Sequence, residues 1–256
     1  MMSPQAWLRL VPQVFLPFTK LADNQSNDVP LTGDLYGAIN VQPKIRKAYG
    51  LAEEGSLFTV NNAQTGIVPT FGAFVNTSPY IVLQNLNTAG SNKNLMLDYA
   101  GLIATVAGTF ASAGVSANVA VVIDSVLRYT SGGTPLTPQN VNMNAPANAS
   151  NIQVVCGAIV ATAPSANARM LVGNRIIRPA ASATQIGVIG DELFMNFGGV
   201  ENAMSASVTL LNPSIIPQPM PCAEVGPGGS ILIYVFFNGT TPAAAAWAPE
   251  LGFFVR

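Results

Sequence analysis

From Ser56 to Arg256 the chain is a succession of short apolar runs cut off by Gly, Pro or Asn, with almost no amphipathic helical period. That punctuation limits the fold more than any other property, because runs of this length and composition are strand material. Tyr80 to Gly108 is the clearest case. Tyr80-Ile81-Val82-Leu83 is followed by the polar Asn87-Thr88-Ala89-Gly90-Ser91-Asn92-Lys93-Asn94 and then by Leu95-Met96-Leu97. The pattern predicts two strands joined by a hairpin-like loop, with Gly and Asn supplying the positive φ that a tight tip demands.

Further strands are expected at Ser56–Val60, Val119–Tyr129, Ile152–Val160, Met170–Val172 with Arg175–Arg178, Gly187–Phe197, Ala206–Leu211, Ser230–Phe237 and Glu250–Arg256. Ser131-Gly132-Gly133-Thr134-Pro135 reads as a closing turn, and Ile215–Pro221 as a proline-rich crossing over the surface. About eight or nine short strands with such punctuation indicate an all-β body, a β-sandwich or jelly roll, over residues 56–256. The last strand is apolar on both faces, so it is central or covered by another subunit.

Residues 1–55 differ. Trp7, Phe15 and Phe18 stand among prolines and are followed by a polar loop at Asp23–Asp28. Prolines at that spacing forbid a long helix or a central strand, which leaves an extended N-terminal arm or a strap across the chain's own sheet. Lys44–Gly50 with Glu53-Glu54 has the makings of a helical turn or two.

Charged residues make up 9 % of the chain, against roughly 25 % in ordinary soluble proteins. A surface so short of charge is weakly hydrated and is best tolerated when much of it is buried against other subunits. The formal net charge is −1, and the basic residues are scattered apart from Lys44-Ile45-Arg46-Lys47, so no nucleic-acid surface is expected. Tyr99–Ile123 is uncharged apart from Asp98 beside it, but its small residues and hydroxyls suit buried strands and not a membrane span. The proline-interrupted N-terminus is a poor signal peptide. Cys156 and Cys222 fit no metal spacing; they could pair across sheets or stand as buried free thiols.

The chain has no histidine, which removes Ser-His-Asp and Cys-His arrangements and the commonest metal ligand. Of the carboxylates, Asp98, Asp124, Asp191, Glu192 and Glu224 are the candidates for paired acid–base chemistry, with Asp98 and Asp124 the pair to test. No phosphate-binding glycine loop or calcium loop occurs, so neither catalytic residues nor cofactors nor metals are expected.

Four strings stand out: Ser91-Asn92-Lys93-Asn94-Leu95-Met96-Leu97, Pro227-Gly228-Gly229-Ser230-Ile231-Leu232-Ile233, the ending Glu250-Leu251-Gly252-Phe253-Phe254-Val255-Arg256, and Gly55-Ser56-Leu57-Phe58 with Asn61-Asn62-Ala63. Together they resemble a family of tailed-bacteriophage virion structural proteins of the head decoration or cement type. The resemblance runs in patches from about Tyr49 to Arg256 and leaves the arm uncovered. It implies a non-enzymatic virion protein, a β-sandwich assembled as a homotrimer, partnered by the major capsid protein or other virion proteins. On that expectation Trp7, Phe15 and Phe18 are arm anchors, and Phe236, Phe237, Phe253 and Phe254 form the trimer core. The alternative is a receptor- or glycan-binding module of a head or tail fibre, reading through the loops at Pro135–Ser150 and Ala161–Ala168. A glycosidase-like enzyme using Asp98 and Asp124 ranks third.

Overall fold

The computed structural model describes residues 32–33, 39–40, 52–63, 65–68, 73–106, 116–145, 151–179, 189, 192–197, 215–237 and 246–256. Chain contacts divide into two units, 1–45 and 46–256. In the first, β1 (Thr32–Gly33) and β2 (Ile39–Asn40) form an antiparallel pair.

The second unit holds the remaining strands. In chain order they begin with β3 (Leu57–Asn61), β4 (Ile81–Asn85), β5 (Leu95–Val106), β6 (Ser116–Asp124), β7 (Tyr129–Leu136) and β8 (Gln139–Asn140). They continue with β9 (Ile152–Ala161), β10 (Arg169–Pro179), β11 (Glu192–Phe197), β12 (Ile215–Met220), β13 (Ala223–Val225), β14 (Ser230–Phe237) and β15 (Ala246–Val255). Two sheets result. One runs β10-β6-β14-β4-β9-β7, and the other runs β12-β11-β5-β15-β3-β8 with β13 also paired to β5. Among the described strands every pairing is antiparallel except β11 with β12. The all-β, sandwich-like architecture expected from the punctuation is what forms.

Alternation builds the core. Ile231, Ile233, Val235 and Phe237 of β14, every second residue, meet Phe58, Val60, Leu251 and Phe253 of the opposite sheet in one buried cluster. Phe58 and Phe253, cross-strand partners, stack with centroids 5.6 Å apart. The intervening residues of the six-stranded sheet are apolar as well. Val82, Ala120, Val122, Val155, Leu232 and Tyr234 form a second buried cluster on its outer face, with Phe74 and Phe236 against it. Strands covered on both faces lose the apolar–polar alternation, which is why β14 and β15 read as continuous hydrophobic runs. β15 is indeed central, between β5 and β3.

Three local expectations change. Tyr80–Leu97 is not a hairpin, because β4 lies in the six-stranded sheet between β14 and β9, and β5 lies in the other between β11 and β15. The loop is an arch from sheet to sheet; its tip does carry positive φ at Gly90 (87°) and Asn92 (53°). Ser131–Pro135 is no turn but the middle of β7, irregularly paired with β9 through two register shifts that the positive φ of Gly132 and Gly133 allows. Ile215–Met220 is the strand β12, parallel to β11. Alternate residues of a strand direct their N–H groups to the same side. Pro217 and Pro219 therefore lose their donors on one side only, which an edge position tolerates. The expected helical turn at Lys44–Gly50 and the strand at Ala206–Leu211 lie outside the described residues.

Candidate functional site

The densest polar structure lies on the outer face of the six-stranded sheet. β6 ends at Asp124, and the register places Asp124 opposite Ser230, Ser230 opposite Gln84, and Gln84 opposite Gln153. This polar row borders the buried apolar cluster. Four residues after Asp124 the chain turns into β7 and sets Arg128, with none of its side chain exposed, over the row. Arg128 Nε lies 3.7 Å from Asp124 Oδ2 and donates to the Thr162 carbonyl at 3.1 Å. Its Nη2 donates to the carbonyls of Asn76 (2.8 Å) and Thr162 (2.6 Å). The Asn76 carbonyl also accepts from the Tyr234 hydroxyl at 2.8 Å. On the other side, Asp124 accepts from the Ser165 hydroxyl and from the Ser165 amide at 3.0 Å.

The pair thus clips two exposed segments, 73–79 and 162–168, onto the sheet. A charge buried here is tolerable because the partner and several backbone dipoles replace water. Arg128 Nη1 alone is buried without a partner among the described residues. Burial raises the Tyr234 hydroxyl above the ordinary phenol range; Arg128 opposes the rise and Asp124 adds to it. The arrangement is mechanical: a clasp, with its carboxylate already committed to two donors and a guanidinium.

A second polar knot ties the arch. Asn85, fully buried, donates from Nδ2 to the Lys93 carbonyl at 2.8 Å, and its Oδ1 accepts from the Asn87 side chain at 2.8 Å. Its backbone pairs with the Gly228–Gly229 turn, through Asn85 N to Gly229 O (3.0 Å) and Gly228 N to Asn85 O (2.8 Å). The Asn94 side chain reaches Glu224 Oε1 at 2.8 Å.

The outer face of the seven-stranded sheet is different in kind. In β5, β15 and β11 the register places Tyr99 opposite Gly252 and Phe194 opposite Gly101. A Cβ at Gly252 would stand 2.2 Å from the Tyr99 ring, so the ring leans over the glycine toward β3. There the Tyr99 hydroxyl lies 3.4 Å from Thr59 Oγ1. Phe194 stacks on Tyr99 with centroids 5.5 Å apart and planes at 23°. Asn196, Glu250 and Asn61 stand exposed on neighbouring positions of the same face, and Asp98 is half-buried beside Tyr99. Burial raises the Tyr99 hydroxyl above its ordinary value, Thr59 opposes this, and the nearby Glu250 and Asp98 add to it.

The residues expected to make contacts are distributed otherwise than sequence alone suggested. Trp7, Phe15 and Phe18 lie outside the described residues. Phe237 and Phe253 are 0 % exposed and Phe254 3 %, so these rings are spent inside the chain's own packing and offer no surface to a trimer core. The reason is their position in two central strands whose faces the chain itself covers. Phe236 is half-buried and packs edge-on against Phe74 at 5.3 Å. Asp98 and Asp124 sit in different sheets, and Asp124 is held in the clasp, so the two are not brought together. Cys156 is buried and Cys222 exposed, both as free thiols; burial pushes the Cys156 thiol up to about 12. The loops at 135–150 and 161–168 carry asparagines but no aromatic residue.

Sequence reasoning missed Arg128 and Tyr99. The available signs were a lone arginine four residues after an aspartate within the strongest apolar run, and two glycines inside otherwise bulky strands. No group of metal-ligating side chains occurs among the described residues. No family model, curated protein or solved structure matches the chain.

Proposed function

We propose that this protein is a non-enzymatic structural component of a tailed-phage virion, a head decoration or cement protein. In this reading the body is a jelly-roll-like sandwich that assembles as a homotrimer on the major capsid protein. Residues 1–55 serve as an extended arm anchored by Trp7, Phe15 and Phe18. It is a protein of the virion, assembled in the host cytoplasm, and neither nucleic acid nor membrane is a partner.

The observation that carries the reading is how the sheets end. Each path terminates in a strand unfit for further pairing: β12 has Pro217 and Pro219, β8 has two residues, β7 has Gly132, Gly133 and Pro135, and β10 has Arg169, Arg175 and Arg178 with three register shifts. Short length, proline, bulges and charge are the devices that stop edge-to-edge association. A chain only 9 % charged needs them most at high local concentration, as on a particle where many copies lie side by side. Association is then left to loops, faces and the arm, over roughly 800 Å² per partner for an ordinary stable interface.

The test is the mass of the purified protein by light scattering across a dilution series, followed by binding to capsids lacking decoration. A stable trimer that binds shells is the expected result, with binding weakened on deletion of residues 1–20. A chain that stays monomeric and binds no shell overturns the proposal. The runner-up, a receptor- or glycan-binding module of a head or tail fibre, is favoured by one observation, the half-buried aromatic pair Tyr99–Phe194 with exposed polar residues around it.

A further inference from the structure

The outer face of the seven-stranded sheet has a feature that core packing does not require. Glycine in a strand interior weakens it by giving up side-chain contacts and adding backbone entropy to be lost. Here two glycines, Gly101 and Gly252, occupy directly neighbouring central strands at the positions opposite Phe194 and Tyr99. The space Gly252 vacates lets the Tyr99 ring lie down toward β3, and Phe194, opposite Gly101, stacks beside it, both half-buried. The outcome is a shallow, half-buried aromatic floor on the outer face of the sheet.

Its rim has one chemical character. Asn61, Asn196 and Glu250 are exposed around the rings, Asp98 is half-buried, and the Thr59 and Tyr99 hydroxyls meet at 3.4 Å. None of β3, β5, β11 and β15 contains a lysine or an arginine. On these four strands a phosphate or other anion finds no cation to neutralise it and faces carboxylates instead. A quaternary ammonium would find aromatics and acids, but such cations are held by cages with rings on several sides, and this floor has one side. A neutral sugar fits both parts. Its apolar C–H face stacks on a ring, and its hydroxyls donate to carboxylate and amide oxygens and accept from amide N–H groups.

We propose that Tyr99 and Phe194, rimmed by Asn61, Asn196 and Glu250, form a binding site for a neutral saccharide on the outer face of the seven-stranded sheet. Tyr99 supplies the stacking surface; Glu250 and the two asparagines orient the hydroxyls. The site differs from the loops at 135–150 and 161–168, which lack aromatics. It stands whether or not the protein decorates a capsid, since the dilution-series mass does not bear on it.

The experiment is titration calorimetry of the full chain against neutral tetrasaccharides of glucose, galactose and N-acetylglucosamine, with choline as the rival probe. At least one sugar is expected to bind at millimolar concentration or better. Tyr99→Ala and Phe194→Ala should each weaken it about tenfold or more. Because those variants remove packing, Glu250→Gln is the decisive companion: the side chain is exposed, so the urea midpoint should hold while affinity falls several-fold. The proposal is overturned if no neutral sugar binds, if choline binds and sugars do not, or if binding is unchanged in Phe194→Ala and Glu250→Gln.

Discussion

Arg128 and Asp124 are four residues apart, with side chains fully buried and Nε and Oδ2 separated by 3.7 Å, and between them they hold two segments that lie outside the strands. The value of such a pair lies less in its attraction than in what is stranded when half of it goes. Arg128→Met leaves Asp124 charged in the interior and deprives the Thr162 and Asn76 carbonyls of their donor. A loss of about 3–5 kcal/mol in urea unfolding is expected. Adding Asp124→Asn to that variant should return part of it, since the neutral amide no longer needs a counter-charge. A double variant as unstable as the sum of the singles would show that the two side chains act independently.

The prolines of β12 have an expected consequence outside the stability of the single chain. Replacing Pro217 by Val and Pro219 by Thr restores two N–H groups, both on one side, to the six-residue strand that ends the sheet path. The monomer unit should lose little stability, while concentration-dependent association with a thioflavin response should rise. Unchanged light scattering in the double variant would mean that the edge is protected by something other than proline.

Asn85→Ala removes a buried side chain with donors to Lys93 and acceptors for Asn87 at the foot of the arch. With partners left unsatisfied, the expected cost is about 1–3 kcal/mol. Amides of residues 86–94 should exchange faster by hydrogen–deuterium mass spectrometry, whereas those of β14 should not. Uniform acceleration would assign the residue to global stability instead.

Alkali provides a separate handle. Cys156, raised to about 12 from an ordinary 9.0 chiefly by burial, keeps its proton in the folded chain while the unfolded chain gives it up. Tyr80, in contact with Cys156, and Tyr234 are raised in the same direction. The unfolded state then binds fewer protons, so stability is full below about pH 9 and falls as pH climbs toward 12, by about 1.4 kcal/mol per pH unit for Cys156, with the two tyrosines adding to the fall only above about pH 10. Cys156→Ala should flatten the decline in a urea midpoint series. Thiol titration should find Cys222 in the native protein and Cys156 only after unfolding.

How much of this was written in the sequence depends on the range of the interaction. The punctuation marked β3, β9 and β14 within a residue or two, because strand length and turn chemistry are local. It misjudged β4 and β5 as a hairpin because the partners that claim them, β14, β9, β11 and β15, come later in the chain. Gly132-Gly133 and Pro217–Pro219 read as breaks because their local preference opposes a regular strand. Pairing with a neighbouring strand, β9 for the first and β11 for the second, overrides that preference. Burial of Phe237, Phe253 and Phe254 escaped for a related reason: apolar residues on both faces of a strand look alike whether the cover is a partner subunit or the chain's own outer layer.

β15 lies between β3 and β5 although it follows them by well over a hundred residues. On a ribosome adding roughly 5–20 residues per second, β3 and β5 emerge and remain without their common neighbour for on the order of ten to forty seconds. Their apolar sides are exposed to other nascent chains during that wait. The rate at which the seven-stranded sheet closes is therefore bounded by translation, and slower elongation late in the message lengthens the hazard. Chaperone dependence in the cell should track the distance between Asn61 and Ala246 more closely than it tracks the equilibrium stability of the finished sheet.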